Sequence, residues 1–426
     1  MKEVTKLPVS LANNVDFLRR LPRLDRFGLL SEPGLHRDVE SPLEEILDFG
    51  SNPGALRMFA FVPEKPQPPR ALVVVLHGCG QTAAGYSHGA GWATLAERYG
   101  FALLMPEQQS SNNINGCFNW FNREDIAREG GEAASIRQMI ARMEADHRID
   151  PRRVFVTGLS AGGAMTAVML STYPEVFAAG AIVAGLPFGV ATNVREALTG
   201  MRGSSARSSR KLGDIVREAS AHKGPWPRLS VWHGSADRVV HPDNADEIVK
   251  QWLDLHRLPP APMSEGIVDG HPRKVWWNAE GETIVESYTI TDMAHGTPLG
   301  LVDDEQYFGA QGAFMIEAGI SSSYHIAKFF GLTEWIRDAI DTKAEAAGAK
   351  SSKEAAKPER KRAAKVAAKP IAATPVIPPV SMPDFAEVLR PLMTPHPRHK
   401  ARQRRRRAID VSAVITRALT AAGLIK

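Results

Sequence analysis

The sequence predicts an α/β fold built on a doubly wound, mostly parallel sheet, and three observations carry that reading. Ala71-Leu72-Val73-Val74-Val75-Leu76 is an almost unbroken apolar run, as expected of a central parallel strand buried on both faces. Val154-Phe155-Val156-Thr157 is a second apolar strand, and it runs through Gly158-Leu159-Ser160-Ala161-Gly162 into a helix-forming stretch over residues 164–170. Strand and helix patterns alternate between residues 72 and 332, which favours one wound domain over two smaller ones. With 426 residues, 43% of them hydrophobic, the chain can bury a sizeable core.

In chain order the expected sheet strands are residues 57–62, 72–77, 102–106, 154–157, 180–184, 229–233 and 284–289, with helices between them. The first ends near Pro63, and the second is the apolar run that enters His77-Gly78. Residues 229–233 read as a buried strand closed by Gly234; residues 284–289 alternate and β-branch like a strand. Residues 202–217, rich in Ser and Arg, are a surface insertion at a place where a cap or lid segment is the alternative.

The junction at Ser160 carries chemistry. A serine hydroxyl is a poor nucleophile, so the chain must turn sharply to lift Oγ to where a histidine reaches it, and glycines on both sides allow that strained turn. The partners are expected in the order acid, then histidine, on loops after later strands. Asp237, on the loop after Gly234, is the expected acid; His295, in Asp292-Met293-Ala294-His295-Gly296, is the expected base. Asp214, Asp243 and Asp292 compete for the acid position. Asp243 sits at a helix start and suits a first-turn charge, while Asp292 lies too close to His295 in sequence. Two backbone donors are also needed for an oxyanion: the N–H of Ala161, and one from His77-Gly78-Cys79-Gly80-Gln81, expected at Cys79. His77 falls outside the required order and is assigned a structural role.

Asn52-Pro53-Gly54-Ala55-Leu56-Arg57-Met58, His77-Gly78-Cys79-Gly80-Gln81, Pro106-Glu107-Gln108, Cys117-Phe118-Asn119-Trp120-Phe121, Gly131-Glu132, Ser135-Ile136 and the glycine-rich stretch from Gly158 to Gly163 occur in one order. That order resembles the polyhydroxybutyrate depolymerase family of esterases, related to feruloyl and acetylxylan esterases, from about residue 45 to 332. The resemblance implies an α/β-hydrolase fold and a serine esterase on hydroxyalkanoate polyesters, their oligomers or short acyl and aryl esters. It puts Ser160, Asp237 and His295 on the triad positions and Cys79 and Ala161 on the oxyanion positions. His295-Gly296-Thr297-Pro298 departs from the family, where a glycine more often precedes the histidine and a tryptophan follows it. Gln81 and Trp120 are the substrate-binding candidates, with a core position as the alternative for Trp120; Phe121 is assigned to the core.

Cys79 and Cys117 are the chain's two cysteines, which excludes a disulfide-built scaffold. Neither a CxxC pair nor a His/Cys/Asp cluster at metal spacing occurs, so no metal or cofactor is expected. Both cysteines lie in family motifs, and a bridge between them would pin the oxyanion loop to the Trp120 loop. A cytosolic address argues against that bridge, so the two questions are linked. Residues 1–23 mix Lys, Arg, Asp and Glu with apolar residues and lack a signal-peptide core, and no apolar run reaches transmembrane length. The expected location is cytoplasmic, with an extracellular one, as in many family members, as the alternative.

The expected organisation is an N-terminal extension over 1–44, the hydrolase domain over 45–342, an Ala/Lys/Pro-rich linker over 343–380 and a basic tail over 381–426. Residues 343–426 hold 19 Lys/Arg against 6 Asp/Glu, a net +13, so the first 342 residues carry −8 of the +5 total. Such a segment has too few large apolar residues for a core and is expected to be disordered, with one short amphipathic helix over 409–424. It suits a solvated tail or contact with an anionic surface: nucleic acid, a granule or a membrane. Protein docking is a further reading, and Phe385 is its lone aromatic, which disfavours base stacking. The alternatives to the esterase are a peptidase or thioesterase on the same triad, or a noncatalytic binding protein on a hydrolase scaffold.

Overall fold

Alternate side chains of one strand enter different cores. Leu72, Val74 and Leu76 belong to one buried cluster, and Ala71, Val73 and Val75 to the other. Successive strand residues point to opposite faces, so a strand covered on both sides must be apolar at every position. The computed structural model describes residues 41–64, 70–203, 207–300 and 308–333. Residues 1–40 of the expected extension, the expected linker over 343–380 and the basic tail over 381–426, with the helix expected in it, lie outside the described residues.

One sheet is formed by β1 (Glu44–Ile46), β2 (Arg57–Phe61), β3 (Arg70–Leu76), β4 (Ala102–Glu107), β5 (Ile149–Leu159), β6 (Ala179–Val183), β7 (Arg228–Gly234), β8 (Ser264–Val268), β9 (His271–Trp277) and β10 (Thr283–Ile290). Their order across the sheet is β1-β2-β4-β3-β5-β6-β7-β10-β9-β8. The pairs from β4 through β10 are parallel. Antiparallel strands finish each edge. A short β11 (Thr297–Leu299) pairs in parallel with β12 (Met315–Glu317).

Helices cover both faces, as a doubly wound sheet requires. Residues of α1 (Ala83–Ala90), α2 (Trp92–Tyr99) and the last helix (Ser322–Phe329) enter one core. Those of α3 (Gly131–His147), α4 (Ala161–Thr172), α5 (Val194–Met201), α6 (Ser209–Ala219) and α7 (Asp243–His256) enter the other. Every residue of α4 is buried, which explains a composition that is apolar or small on all sides. Its hydroxyls at Thr166, Ser171 and Thr172 donate to carbonyls one turn back, so none is left unpaired in the core.

All seven expected strands are present. The β8–β9 hairpin is an addition, turning at Asp269 (φ 47°) and Gly270 (φ 85°), the dipeptide a type I′ turn prefers. The 202–217 segment is largely α6, docked on α7 through the Arg217–Asp254 ion pair and the Leu212 carbonyl, which accepts from Gln251. Residues 204–206 lie outside the described residues.

Where β5 meets α4 the backbones of strand and helix nearly touch. A Cβ on Gly162 would sit 2.2 Å from the Leu76 carbonyl oxygen, and one on Gly158 would sit 2.4 Å from that of Gly162. Backbone cannot give way as a side-chain tip can, so Gly162→Ala is expected to cost about 2–3 kcal/mol. Chemical denaturation of the two proteins checks this; equal stability would show that the contact relaxes freely.

Candidate active site

Four loops meet at the carboxyl end of the parallel strands, the edge where open α/β sheets place ligands. Ser160 follows β5 directly and is held at φ 57°, ψ −116°, a conformation that side-chain-bearing residues rarely adopt. Its N–H donates to Val183 O at 2.9 Å, and its own carbonyl accepts from Ala164 N–H, which starts α4. Ala161 is the first residue of α4, where backbone N–H groups have no intrahelical acceptor.

Asp237 lies three residues beyond β7 and His295 five beyond β10. The two loops are stitched together: Ser235 N–H donates to Ile290 O at 2.9 Å, Ala236 N–H to Met293 O at 3.0 Å and Asp292 N–H to Ser235 Oγ at 2.9 Å. His295 Nε2 is 2.9 Å from Ser160 Oγ, and its Nδ1 is 2.7 Å from Asp237 Oδ2. A carboxylate only accepts, so the imidazole proton sits on Nδ1 and the Nε2 lone pair faces the serine hydroxyl.

Asp237 is buried, yet it is supplied with donors on both oxygens. Oδ1 accepts from Val239 N–H at 2.8 Å and Val240 N–H at 3.0 Å. Oδ2 receives His295 and, at 3.3 Å, His233 Nε2. Burial pushes the carboxyl upward, but the hydrogen bonds from the two imidazoles outweigh it and hold Asp237 well below the ordinary carboxylate range. His233 Nε2 also lies 2.9 Å from Val240 O, so that nitrogen carries the proton; its Nδ1 is buried without a partner among the described residues. The competing acids sit elsewhere. Asp243 is exposed at the start of α7, Asp292 is exposed, and Asp214 pairs with Arg217.

The loop after β3 is held from behind. Cys79 and Cys117 form a disulfide that ties this loop to the Trp120 loop. Gln81 Oε1 accepts from Gly78 N–H at 2.8 Å, so that oxygen of this substrate-binding candidate braces its own loop. His77 is fully buried, with Nδ1 2.8 Å from Gly78 O and Nε2 accepting from Gln108 N–H at 3.1 Å. Burial pushes its pKa down to about 4, which keeps it neutral in the structural role expected of it. Gln108 extends the chain to Cys117 O at 3.0 Å and to Glu132, whose other oxygen accepts from Asn119 N–H at 2.8 Å. The Cys117-Phe118-Asn119 block is thus a bracing module for the loop bearing Cys79. Trp120 is enclosed among core residues at 8% exposure, edge-on to Phe121 at 5.4 Å, and Phe121, expected in the core, is the half-buried one.

The sequence assigns no role at the site to His233, Glu132 or Phe314, although His233 falls in an expected strand and Glu132 in the Gly131-Glu132 motif. Phe314 stands with its ring 5.9 Å from that of His295, approached from a segment nineteen positions further on. Among the described residues no cluster of metal-ligating side chains is present, and no helix is long and apolar enough to cross a membrane.

Glu132 is fully buried; burial first, and then the charge of Asp125, raises its pKa well above the usual carboxylate value. The folded state therefore keeps a proton that the unfolded state releases near pH ~4.3, and stability is lost as pH rises above that point. Glu132→Gln removes the titration. The melting temperature of the wild type minus that of the variant is expected to fall between about pH 5 and 8; a constant difference would show that Glu132 is ionised in the fold. Replacing both Cys79 and Cys117 by Ser, which opens a loop spanning 38 positions, is expected to cost roughly 4 kcal/mol in denaturation. A loss below about 1 kcal/mol would show that Glu132 and Gln108 brace the loop unaided.

The family profile described as "Esterase PHB depolymerase" matches residues 61–262. Poly(3-hydroxyalkanoate) depolymerase C of Paucimonas lemoignei is 45% identical over 291 residues, covering 68% of this chain and 70% of that protein. An acetylxylan esterase of Coprinopsis cinerea is 33% identical over 263 residues, covering 60% of this chain and 69% of its own length. Among solved structures, the acetyl xylan esterase from Aspergillus awamori superposes with a TM-score of 0.58 at 25% identity, covering 68% of this chain and 99% of that one. An elbow serine at the carboxyl edge of a doubly wound sheet, on a chain matching these relatives over most of their length, belongs to an α/β-hydrolase of the PHB depolymerase esterase family, a carboxylic ester hydrolase.

Proposed function

We propose that the protein hydrolyses hydroxyalkanoate polyesters, their oligomers or short acyl and aryl esters through a covalent acyl-enzyme on Ser160. The observation that carries this reading is the hydrogen-bonded chain from Ser160 Oγ through His295 to the buried Asp237 carboxylate, with spacings of 2.9 and 2.7 Å. His295 Nε2 takes the hydroxyl proton as Oγ attacks the ester carbonyl carbon, and Asp237 stabilises the imidazolium that results. The N–H groups of Ala161 and Cys79 receive the oxyanion of the tetrahedral intermediate. His295 then returns the proton to the alcohol oxygen, the ester C–O bond breaks and the acyl group stays on Ser160. Water repeats the sequence in the second half and releases the acid.

Polyester as the substrate is supported by the 45% identity with a protein named as a poly(3-hydroxyalkanoate) depolymerase. The acetylxylan esterase relatives, at lower identity, support small acyl groups as an additional capacity.

The test is hydrolysis of p-nitrophenyl esters from acetate to octanoate, alongside a 3-hydroxybutyrate oligomer. Ser160→Ala and Asp237→Asn are each expected to lower kcat by roughly 10⁴-fold or more on every ester, with circular dichroism unchanged. Esterase activity retained by Ser160→Ala would remove the nucleophile from this reading.

A further inference from the structure

Phe314 holds a conformation that a bulky side chain avoids. Its φ is 63°, in the left-handed region, and the residue is still 36% exposed rather than buried for packing. Such strain costs about 1–3 kcal/mol and persists only where the surroundings impose it. Here the surroundings do so from both sides. Thr297 N–H, two residues beyond His295, donates to Phe314 O at 2.8 Å, and Met315 pairs with Thr297 in the β11–β12 ladder. Met315 is buried and its N–H donates to Gly312 O at 3.1 Å. A Cβ on Gly296 would lie 2.7 Å from Phe314 O, so glycine next to the histidine is what admits this backbone.

The consequence is an apolar ring fixed against the imidazole, edge to face, with an interplanar angle of 78° and a centroid separation of 5.9 Å. In the mechanism above, His295 must hand its proton to the departing alcohol oxygen, so that alcohol lies on the imidazole side of the scissile bond and the acyl group lies away from it. A ring packed on the imidazole borders the alcohol. We propose that Phe314 is a specificity-determining residue for the alcohol half of the ester, an apolar wall favouring bulky or aromatic alcohols and, in a polyester, the hydroxyacyl unit on the leaving side. This rests on the catalytic reading of Ser160 and His295.

The test holds the acyl group constant. Ethyl and benzyl butanoate are compared in a pH-stat for the wild type, Phe314→Ala, Phe314→Gly and Phe314→Tyr, with p-nitrophenyl acetate and octanoate as an acyl-side control. The benzyl-to-ethyl ratio of kcat/KM is expected to fall about tenfold in the Ala and Gly variants and to be kept by Tyr. The octanoate-to-acetate ratio is expected to follow the wild type in all of them. Glycine adopts φ 63° without strain, so Phe314→Gly is expected to melt no lower than Phe314→Ala, separating the loss of the ring from loss of the fold. A uniform fall on both butanoates would mean that the ring only steadies His295, and a changed octanoate-to-acetate ratio would put it on the acyl side; either overturns the proposal. If the wild type turns over no ester, or Ser160→Ala turns over as much, the catalytic reading fails instead.

Discussion

The backbone contact at the Ser160 elbow is the constraint on which the other site features depend. A residue at φ 57°, ψ −116° is unfavourable by about 1–3 kcal/mol in isolation. It persists because β5, α4 and the end of β3 are pressed together so closely that Gly158 and Gly162 have no room for a Cβ. The same contact sets the start of α4, and with it the Ala161 N–H, beside the end of β3, from which the Cys79 loop departs. Ser160 and the Ala161 N–H thus share one closely packed junction, and every residue of α4 behind it is buried.

Two buried carboxylates show how local donors decide charge in this protein. Asp237 has hydrogen bonds to both oxygens, two of them from imidazoles, and they outweigh the cost of burial. Glu132 accepts from Asn119 and Gln108 but sits beside Asp125, so burial and a like charge prevail and its pKa rises. The first holds a carboxylate charge beside the Nδ1–H of His295. The second is a buried strut between the Gln108 and Asn119 loops, pushed towards its protonated form by burial and by Asp125.

Much of the fold was legible in the sequence because strands buried on both faces have no polar option. The 71–76 run and the strand before Ser160 could be read for that reason. The β8–β9 hairpin was not: β8 is exposed over almost its whole length, so no apolar alternation marks it, although Asp269-Gly270 is a turn signal in its own right. Of the aromatic pair, Trp120 takes the core position that stood as its alternative, while Phe121, expected in the core, is half-buried. Two adjacent aromatic residues are alike in residue type, so which of them lies deeper is set by packing and not by local pattern.

Apolar runs, chain order and turn chemistry by themselves determined the doubly wound sheet, the strained serine, and the loops from which Asp237 and His295 come, because each leaves a mark in the residue types of its own segment. Which groups surround those side chains was decided only by tertiary packing. His233 reaches Asp237 because an inward position on β7 points at a loop that folds back over it. Phe314 reaches His295 because β12 pairs with β11, from a stretch that carries no motif of its own. Glu132 stands in the sequence only as part of the Gly131-Glu132 motif, and it becomes a buried strut only when the Gln108 and Asn119 loops close around it. Side-chain neighbours across a sheet or between loops are set by register and by the filling of space, and no local pattern of residue types encodes either.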